Sequence, residues 1–483
     1  MTYEIPSHVQ KIIRLLKQNG ATDALLVGGW VRDVLLNIPS KDYDIEVYGL
    51  SYAQIKDILS PSFHVDLVGQ SFGVLKVGRD VDVALPRRES KSGLGHKGFS
   101  VESVPDLKPE EAFARRDFTI NAIGMRLDGS FCDPFDGIGD IKRRILRATG
   151  PAFKDDPLRV LRGMQFSARF GFDTDSQTLS YCREVLSEFS TLSQERIYEE
   201  WKKWALKGEY PEKGLEFLRN CGWVTAFPQL NALIDCPQNP LYHPEGDVWT
   251  HTLAVCREIR NAIRSFDLET SDDETVSLLF AALAHDFGKP QTTKLDEQGT
   301  LRALGHEQVG AEIAREFYRD MRAPIHIVDT VVNLTREHMT NIEKPNVKNV
   351  RRLARRLSPA TVKLWILLRR ADVMGRGGYP DFGFTEESTA GILDASLKRE
   401  LVSQKVNAQL QQWMDMSREM NILDAGPEPV VLGRHLIQLG VEKGPKMGKI
   451  LKLAFEAQLD DEFSTVEEGI EYVKKSGWID AVS

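Results

Sequence analysis

Residues 8–19 place apolar side chains at the three- and four-residue spacing of a helix with one buried face, and the run ALLV (24–27) that follows Gly20 reads as a strand. GGWVRDVLL next sets a glycine pair at the opening of a second helix. In KDYDIEVYG and GVLKVGRDVDVAL, β-branched residues alternate with polar ones at period 2, which predicts strands. From about residue 155 the alternation gives way to helical periodicity in DPLRVLRGMQFSARFGF, SQERIYEEWKKWALKG and EKGLEFLRNCGWV. A first boundary is therefore expected near 140–150. The Pro- and Asn-rich loop CPQNPLYHPEGD (236–247) and the linker GRGGYPDFG bracket a further helical block, and 385–483 again reads as mostly helical. There is no internal repeat or low-complexity tract.

Composition narrows the class. With 483 residues, 42% hydrophobic and 27% charged, the chain lies far from the disordered corner and is long enough for about three domains. Five scattered cysteines without a CxxC pair argue for a reducing compartment and against a zinc ribbon. The N-terminus lacks an apolar h-region and no stretch approaches the length of a membrane span, so a soluble, cytoplasmic protein is expected. The net charge of −8 conceals two basic runs. One is KRRILR (142–147), continued by Lys154, Arg159, Arg162 and Arg169; the other holds Arg351, Arg352, Arg355, Arg356, Arg369 and Arg370. Either can face phosphates, although a solvated helix face is the plainer reading.

Asp42 and Asp44 stand two apart on a predicted strand, so both carboxylates are expected on one face, where they can hold Mg²⁺ with Asp82 beside them as a third ligand. Two metals about 4 Å apart would activate an attacking hydroxyl and stabilise a leaving pyrophosphate. Two acids on the wet face of a strand are common without a metal. Gly28-Gly29 at the strand-to-helix turn strengthens the case, since exposed backbone N–H groups there suit a triphosphate.

LLVGGWVRDVLLNIPSKDYDIEV, ARRDFTINAI and DDPLRVLRGMQFSARFGF together resemble, in order and spacing, the signature motifs of the bacterial class II transfer-RNA nucleotidyltransferases and poly(A) polymerases, over roughly residues 22–230. The resemblance implies an α+β fold: a polymerase-β-like head with a mixed sheet (1–145), then a helical neck and body (146–235). It assigns Asp42 and Asp44 to the metals, and Gly28, Gly29, Arg32 and Asp33 to the phosphate-binding turn. It assigns Arg115, Arg116, Asp117 and Asn121 to ribose reading. Asp156 and Arg159, three apart on a predicted helix and so on one face, fall at the amino-acid template that selects the base, with Arg162 one turn beyond as a further nucleotide contact. An Asp acceptor beside an Arg donor matches cytosine or adenine. Asp before Pro is equally the expected start of a helix. The glycine-rich, basic segment LPRRESKSGLGHKGF (85–99) falls where the family carries a flexible element used in switching from C to A addition.

A second constellation, YHPEGDVWTHTL, LAHDFGKP, GHEQVG, REHMT and ADVMGR, recurs as H…HD…H…H…D, and His and Asp are ligand types for a hydrolytic divalent metal. It resembles the HD phosphohydrolase superfamily (243–378). That resemblance assigns His251, His285, Asp286 and Asp372 to a metal of unspecified identity, with His306, His338 and Lys289 as further contacts. With the helical tail (385–483), the arrangement is similar to the longer bacterial nucleotidyltransferases, whose second site is associated with 2′,3′-cyclic and 2′-phosphate hydrolysis. The function implied is addition of CCA to the 3′ end of tRNA from CTP and ATP, with the tRNA acceptor arm as partner. The alternatives are an A-only or CC-only enzyme, a poly(A) polymerase, a signalling nucleotidyltransferase, or an RNA-binding protein with dead sites. The sequence leaves the oligomeric state open.

Overall fold

The computed structural model describes residues 4–66, 73–91, 99–379 and 395–481. The chain divides into two compact units, 1–227 and 228–483.

The first unit is built on strands β1 (Asp23–Val27), β2 (Tyr43–Tyr48), β3 (Val65–Asp66), β4 (Val74–Val77) and β5 (Val81–Ala84), then β6 (Arg87–Lys91), β7 (Phe99–Ser103), β8 (Gly124–Met125) and β9 (Phe131–Cys132). Seven of them form one mixed sheet in the order β3-β4-β5-β2-β1-β8-β9. Only the β2–β5 pair within it runs parallel, with Asp44 opposite Asp82. β6 and β7 pair with each other as an antiparallel ribbon, so the flanks of the glycine-rich segment are ordered strands; its residues 92–98 lie outside the described part. Helix Ser7–Gln18 buries Val9, Ile12, Ile13 and Leu16, the face its periodicity predicted. β2 departs from a strand with one wet face: Glu46 and Tyr48 on the polar side are 1% and 2% exposed. Tyr48 packs there with Leu107, Ala112 and Phe113, while Glu46 is neutralised by arginines described below.

Behind the sheet lie helices Leu158–Phe170, Ser176–Glu184, Gln194–Lys207 and Pro211–Asn220 around buried Trp201, Trp204 and Trp223. Gly163 allows the first and last to approach: a Cβ there would lie 2.4 Å from the Phe217 ring. The first basic run does not present free charge along its length. Arg143 pairs with Asp136 and Asp140, and Arg147 with Asp140 and Asp175.

In the second unit, helices Val248–Phe266, His306–Asp320, Ile325–Glu337 and Val362–Gly375 surround Asp272–Ala284, which is apolar and buried along Val276–Ala284. Helix Ala395–Glu419 packs on Val362–Gly375, and the tail helices Gly433–Gln438, Pro445–Leu459 and Val466–Lys475 enclose a small core of Leu436, Ile450 and Val473. The second basic run serves this packing. Arg351 donates to Asp461 (2.6 Å) and the Gln458 carbonyl, Arg352 to Asp460 (2.7 Å), and Arg356 to Glu337 (2.9 Å), so these three arginines are held within the unit. Among the described residues no helix is long and apolar enough to cross a membrane.

Candidate functional site

The first site gathers at the end of β2 next to the turn that leaves β1. Asp42 lies one residue ahead of β2, and Asp44 is its second residue; both are exposed. The parallel register sets Asp82 beside Asp44, as expected, and Lys76 pairs with Asp82 at 3.6 Å. Although Asp44 still reaches solvent, partial removal from water raises its carboxyl pKa; Arg116 opposes this, and Asp82, Asp42 and Glu46 add to it. Such mutual repulsion is what a bound cation would relieve. Gly28 adopts a left-handed φ of +73°, and a Cβ on it would sit 3.0 Å from the Asp44 carboxylate. Only glycine brings the turn this close to the acidic strand end.

Glu46, two residues beyond Asp44 on the same face, was not among the expected site residues. Its carboxylate accepts from Tyr48 Oη and Arg116 Nη2 (3.2 Å) and lies 3.5 Å from Arg115 Nη2, which aims both arginines at the acidic strand end. The signal was the continued alternation in DYDIE.

Five of the expected nucleotide residues are satisfied by one another. Arg32, 4% exposed, donates Nε to Asp33 (2.9 Å) and Nη1 to Asn121 Oδ1 (2.6 Å). Asn121 Nδ2 donates to Asp117 (2.9 Å), and Asp117 accepts Arg162 Nε (2.7 Å). At the other end Arg169 donates to Asp33 (2.9 Å), and Arg162 and Arg169 share helix Leu158–Phe170, so the series closes into a ring. The Arg32 guanidinium lies 5.2 and 5.0 Å from the ring centres of Phe166 and Phe170 on that same helix. Burial alone would raise the Asp117 pKa, but the Arg162 charge, the Asn121 amide and the Arg159 charge outweigh it and hold the group at about 2.

Asp156 departs from its expected geometry. The helix begins at Leu158, and Asp156 is extended (φ −121°, ψ 106°) because the following proline disfavours helical backbone at that position. Asp156 and Arg159 are therefore not an i,i+3 pair on one helical face. Asp156 accepts the Leu158 N–H (3.0 Å), which is the helix-start reading, and also pairs with Arg196 (2.8 Å). Arg159 donates to the carbonyls of Ala152 and Arg115 (2.6 Å each), tying the segment to the RRD loop.

The second site lies inside the helices of the second unit, and here the ligand types converge. His285, His306 and His338 place Nδ1 at 2.7, 2.6 and 2.6 Å from the carbonyls of Ala282, Ala303 and Thr335. A carbonyl only accepts, so each Nδ1 carries a proton and each Nε2 points inward, presenting a lone pair when the ring is neutral. His251 does the same through Glu245, 3.1 Å from its Nδ1. Two sets result: His251, His285 and Asp372, and Asp286, His306 and His338, the ligand atoms of each within 4.8 Å of one another.

Two observations test the fit to divalent cations. The His285 Nε2 is buried, with Asp286 Oδ2 3.1 Å away in a geometry that makes no well-directed hydrogen bond. The Nε2 atoms of His306 and His338 face each other at 3.2 Å, an opposition of lone pairs that a cation or proton must resolve. Burial would raise both aspartates, yet His285 and Lys289 (2.7 Å from Asp286), and Arg376 and His251 near Asp372, hold them well below the ordinary carboxylate range. The site fits a mixed nitrogen–oxygen cation centre. The sequence reading missed Glu245, which also accepts the Gly377 N–H (2.8 Å) and lies 2.9 Å from His243. It thus braces the candidate ligand His251 and the chain just past the candidate ligand Asp372. The phrase YHPEGDVWTH carried the signal only through spacing.

The mixed-sheet head and buried His/Asp centre define a nucleotidyltransferase unit joined to an HD domain. Residues 24–147 match the family model described as the poly A polymerase head domain, 171–234 the probable RNA and SrmB-binding site of polymerase A, and 248–376 the HD domain. The chain is 34% identical over 366 residues to the multifunctional CCA protein of Nitrosococcus oceani, covering 74% of this chain and 86% of that one. It is 35% identical over 375 residues to the protein of the same name from Pasteurella multocida, covering 75% and 86%. The chain belongs to the family of multifunctional CCA proteins. Among solved structures, the Bacillus stearothermophilus CCA-adding enzyme in complex with CTP superposes with a TM-score of 0.64 at 21% identity, covering 98% of each chain. The Thermotoga maritima CCA-adding enzyme complexed with tRNA gives 0.53 at 16%, covering 98% of this chain and 96% of that one, so the fold is shared.

Two predictions follow from these geometries. Because the Asp117 pKa is depressed, its contribution to stability is full above the unfolded carboxylate value near about 3.9 and is lost as pH falls toward about 2. Arg162→Gln removes the charge that offsets burial, so acid unfolding of the N-terminal unit, followed by tryptophan fluorescence, moves to higher pH; an unmoved midpoint contradicts the pairing. Glu245→Gln lowers divalent-metal affinity at the second site by about 10- to 100-fold in a calorimetric titration, whereas wild-type affinity would show that Glu245 does not orient His251.

Proposed function

We propose that this chain adds CCA to the 3′ end of tRNA from CTP and ATP in the cytoplasm. The tRNA 3′-hydroxyl attacks the α-phosphate and pyrophosphate leaves. Asp42, Asp44 and Asp82 would hold Mg²⁺, which when bound lowers the pKa of the attacking hydroxyl and neutralises the leaving pyrophosphate. The Gly28-Gly29 turn offers backbone N–H groups to the triphosphate, and Arg115 and Arg116, fixed by Glu46, supply charge beside it. Asn121 and Asp117, which with Arg115 and Arg116 read the ribose, join Arg32 and Asp33 of the phosphate turn to Arg162, a further nucleotide contact. Asp156 and Arg159 select the base by their acceptor and donor, and the helical body and tail grip the tRNA acceptor arm by shape and phosphate contacts. The observation that carries this reading is the convergence at one strand end of the acidic set, the glycine turn and the arginine pair, in a chain whose family is that of the multifunctional CCA proteins.

A second activity rests on the inward-facing Nε2 atoms. In the HD site, His251, His285 and Asp372 with Asp286, His306 and His338 would hold divalent cations that supply a bound water of lowered pKa, and the site hydrolyses terminal 2′,3′-cyclic or 2′-phosphates. Lys289 supplies positive charge beside Asp286 for the phosphate.

The test for the transferase uses a tRNA transcript ending at the discriminator base with Mg²⁺, CTP and ATP, resolved to single nucleotides. Wild-type protein adds three residues, and Asp42→Ala with Asp44→Ala abolishes addition while retaining tRNA binding. A stop at two residues makes it a CC-adding enzyme. Extension only of tRNA already ending in CC makes it an A-adding one, and long adenosine tails a poly(A) polymerase.

A further inference from the structure

The His/Asp centre opens into a cavity of about 710 Å³, far more than a phosphate group alone requires and within the size range of sites that take small organic ligands. Candidate ligand residues and Lys289 line it. Leu304, Leu241 and Met339 line it as well and are 79%, 50% and 47% exposed, so large apolar side chains share the cavity with ionic ones. Gln409 also lines the cavity, and its Oε1 is buried with no hydrogen-bond partner. Gln409 stands on helix Ala395–Glu419, outside the residues that match the HD domain, one turn ahead of Trp413. Trp413 Nε1 donates to the Ile342 carbonyl at 2.9 Å and its ring packs against Trp365 at a tilt of 58°, ring centres 4.8 Å apart, so this helix is anchored to the cavity wall.

An unsatisfied buried acceptor is costly unless a donor arrives, and an exposed apolar collar is costly unless an apolar face covers it. A free phosphate or a simple alkyl phosphate supplies neither. A nucleoside supplies both.

We propose that the cavity holds a nucleoside subsite, in which the base of the terminal nucleotide lies against Leu304 and Met339 and Gln409 Oε1 accepts a hydrogen bond from that nucleoside. The assignment rests on reading the His/Asp centre as a phosphoesterase, and it makes Gln409 a specificity residue supplied by a helix beyond the HD domain. The donor is an exocyclic amine or a ribose hydroxyl.

The test uses full-length protein charged with Mn²⁺ and compares adenosine 2′,3′-cyclic phosphate with bis(p-nitrophenyl) phosphate, which carries no nucleoside. Gln409→Leu raises KM for the cyclic nucleotide about five- to tenfold with kcat within about twofold, and leaves the nitrophenyl ester unchanged, as expected for loss of one hydrogen bond to bound substrate. An equal decline on both substrates, or no change on either, overturns the subsite. Purine riboside 2′,3′-cyclic phosphate identifies the donor: a KM already raised in wild-type protein assigns the amine, and a wild-type KM equal to that for adenosine assigns the ribose. If wild-type protein hydrolyses neither ester, the phosphoesterase reading fails by itself. Calorimetric binding of adenosine 2′-phosphate then decides the subsite, because the wild-type and Gln409→Leu proteins share the same transferase head. Five- to tenfold weaker binding in the variant keeps the subsite, and equal binding removes it.

Discussion

A closed ring of charges and one amide, Arg169–Asp33–Arg32–Asn121–Asp117–Arg162, buried at its four central members and half-buried at Arg169 and Arg162, fixes the geometry of the transferase unit. Two of its arginines belong to one helix, Leu158–Phe170, and its other members belong to the glycine-turn helix and the RRDFTIN segment. Desolvating these charges is expensive, and a buried pair broken by removing one partner typically costs about 3–5 kcal/mol. Closure is what makes the arrangement tolerable: each charge faces an opposite charge or an amide, and Arg32 is additionally covered by two aromatic faces. The glycine-turn helix and the helix that follows Asp156 therefore share one rigid frame.

The two sites solve the same problem, placing negative or lone-pair atoms close together, in opposite ways. In the head the acidic side chains stay at the surface, where water screens them, and the rigidity lies one layer behind in the ring. In the HD domain the ligands themselves are buried, and their orientation is enforced by backbone: three helix or loop carbonyls set three imidazole tautomers, and one carboxylate, Glu245, sets the fourth. A carbonyl cannot be titrated away, so the orientation of His285, His306 and His338 is held by backbone.

Local pattern made β1, β2, β4 and β5, the first helix, the Asp44–Asp82 neighbourhood and the candidate His/Asp set legible, because each depends on period-2 alternation or on residue types that few roles require; the short strands β3, β8 and β9 and the β6–β7 ribbon were not. What stayed hidden depends on partners distant in sequence. Nothing around Arg169 announces Asp33, 136 residues away, and nothing around Arg351 or Arg352 announces the tail aspartates that they bind. The basic runs thus read as phosphate-facing, whereas several of their arginines hold their own unit together. Glu46 was within reach of the alternation but looked like surface acid until Arg115 and Arg116 were seen to neutralise it. Asp156 shows the reverse error: the proline rule that puts it outside the helix is local and was available.

The central claim is that the ring, not only the residues that face the nucleotide, sets the transferase geometry. The most direct test is the single-turnover rate of the first CTP addition by Arg169→Met, because Arg169 is bonded to the ring through Asp33. The account predicts a fall of about tenfold or more, with tRNA binding and cooperative unfolding of the N-terminal unit retained. A wild-type rate in a folded variant would contradict it.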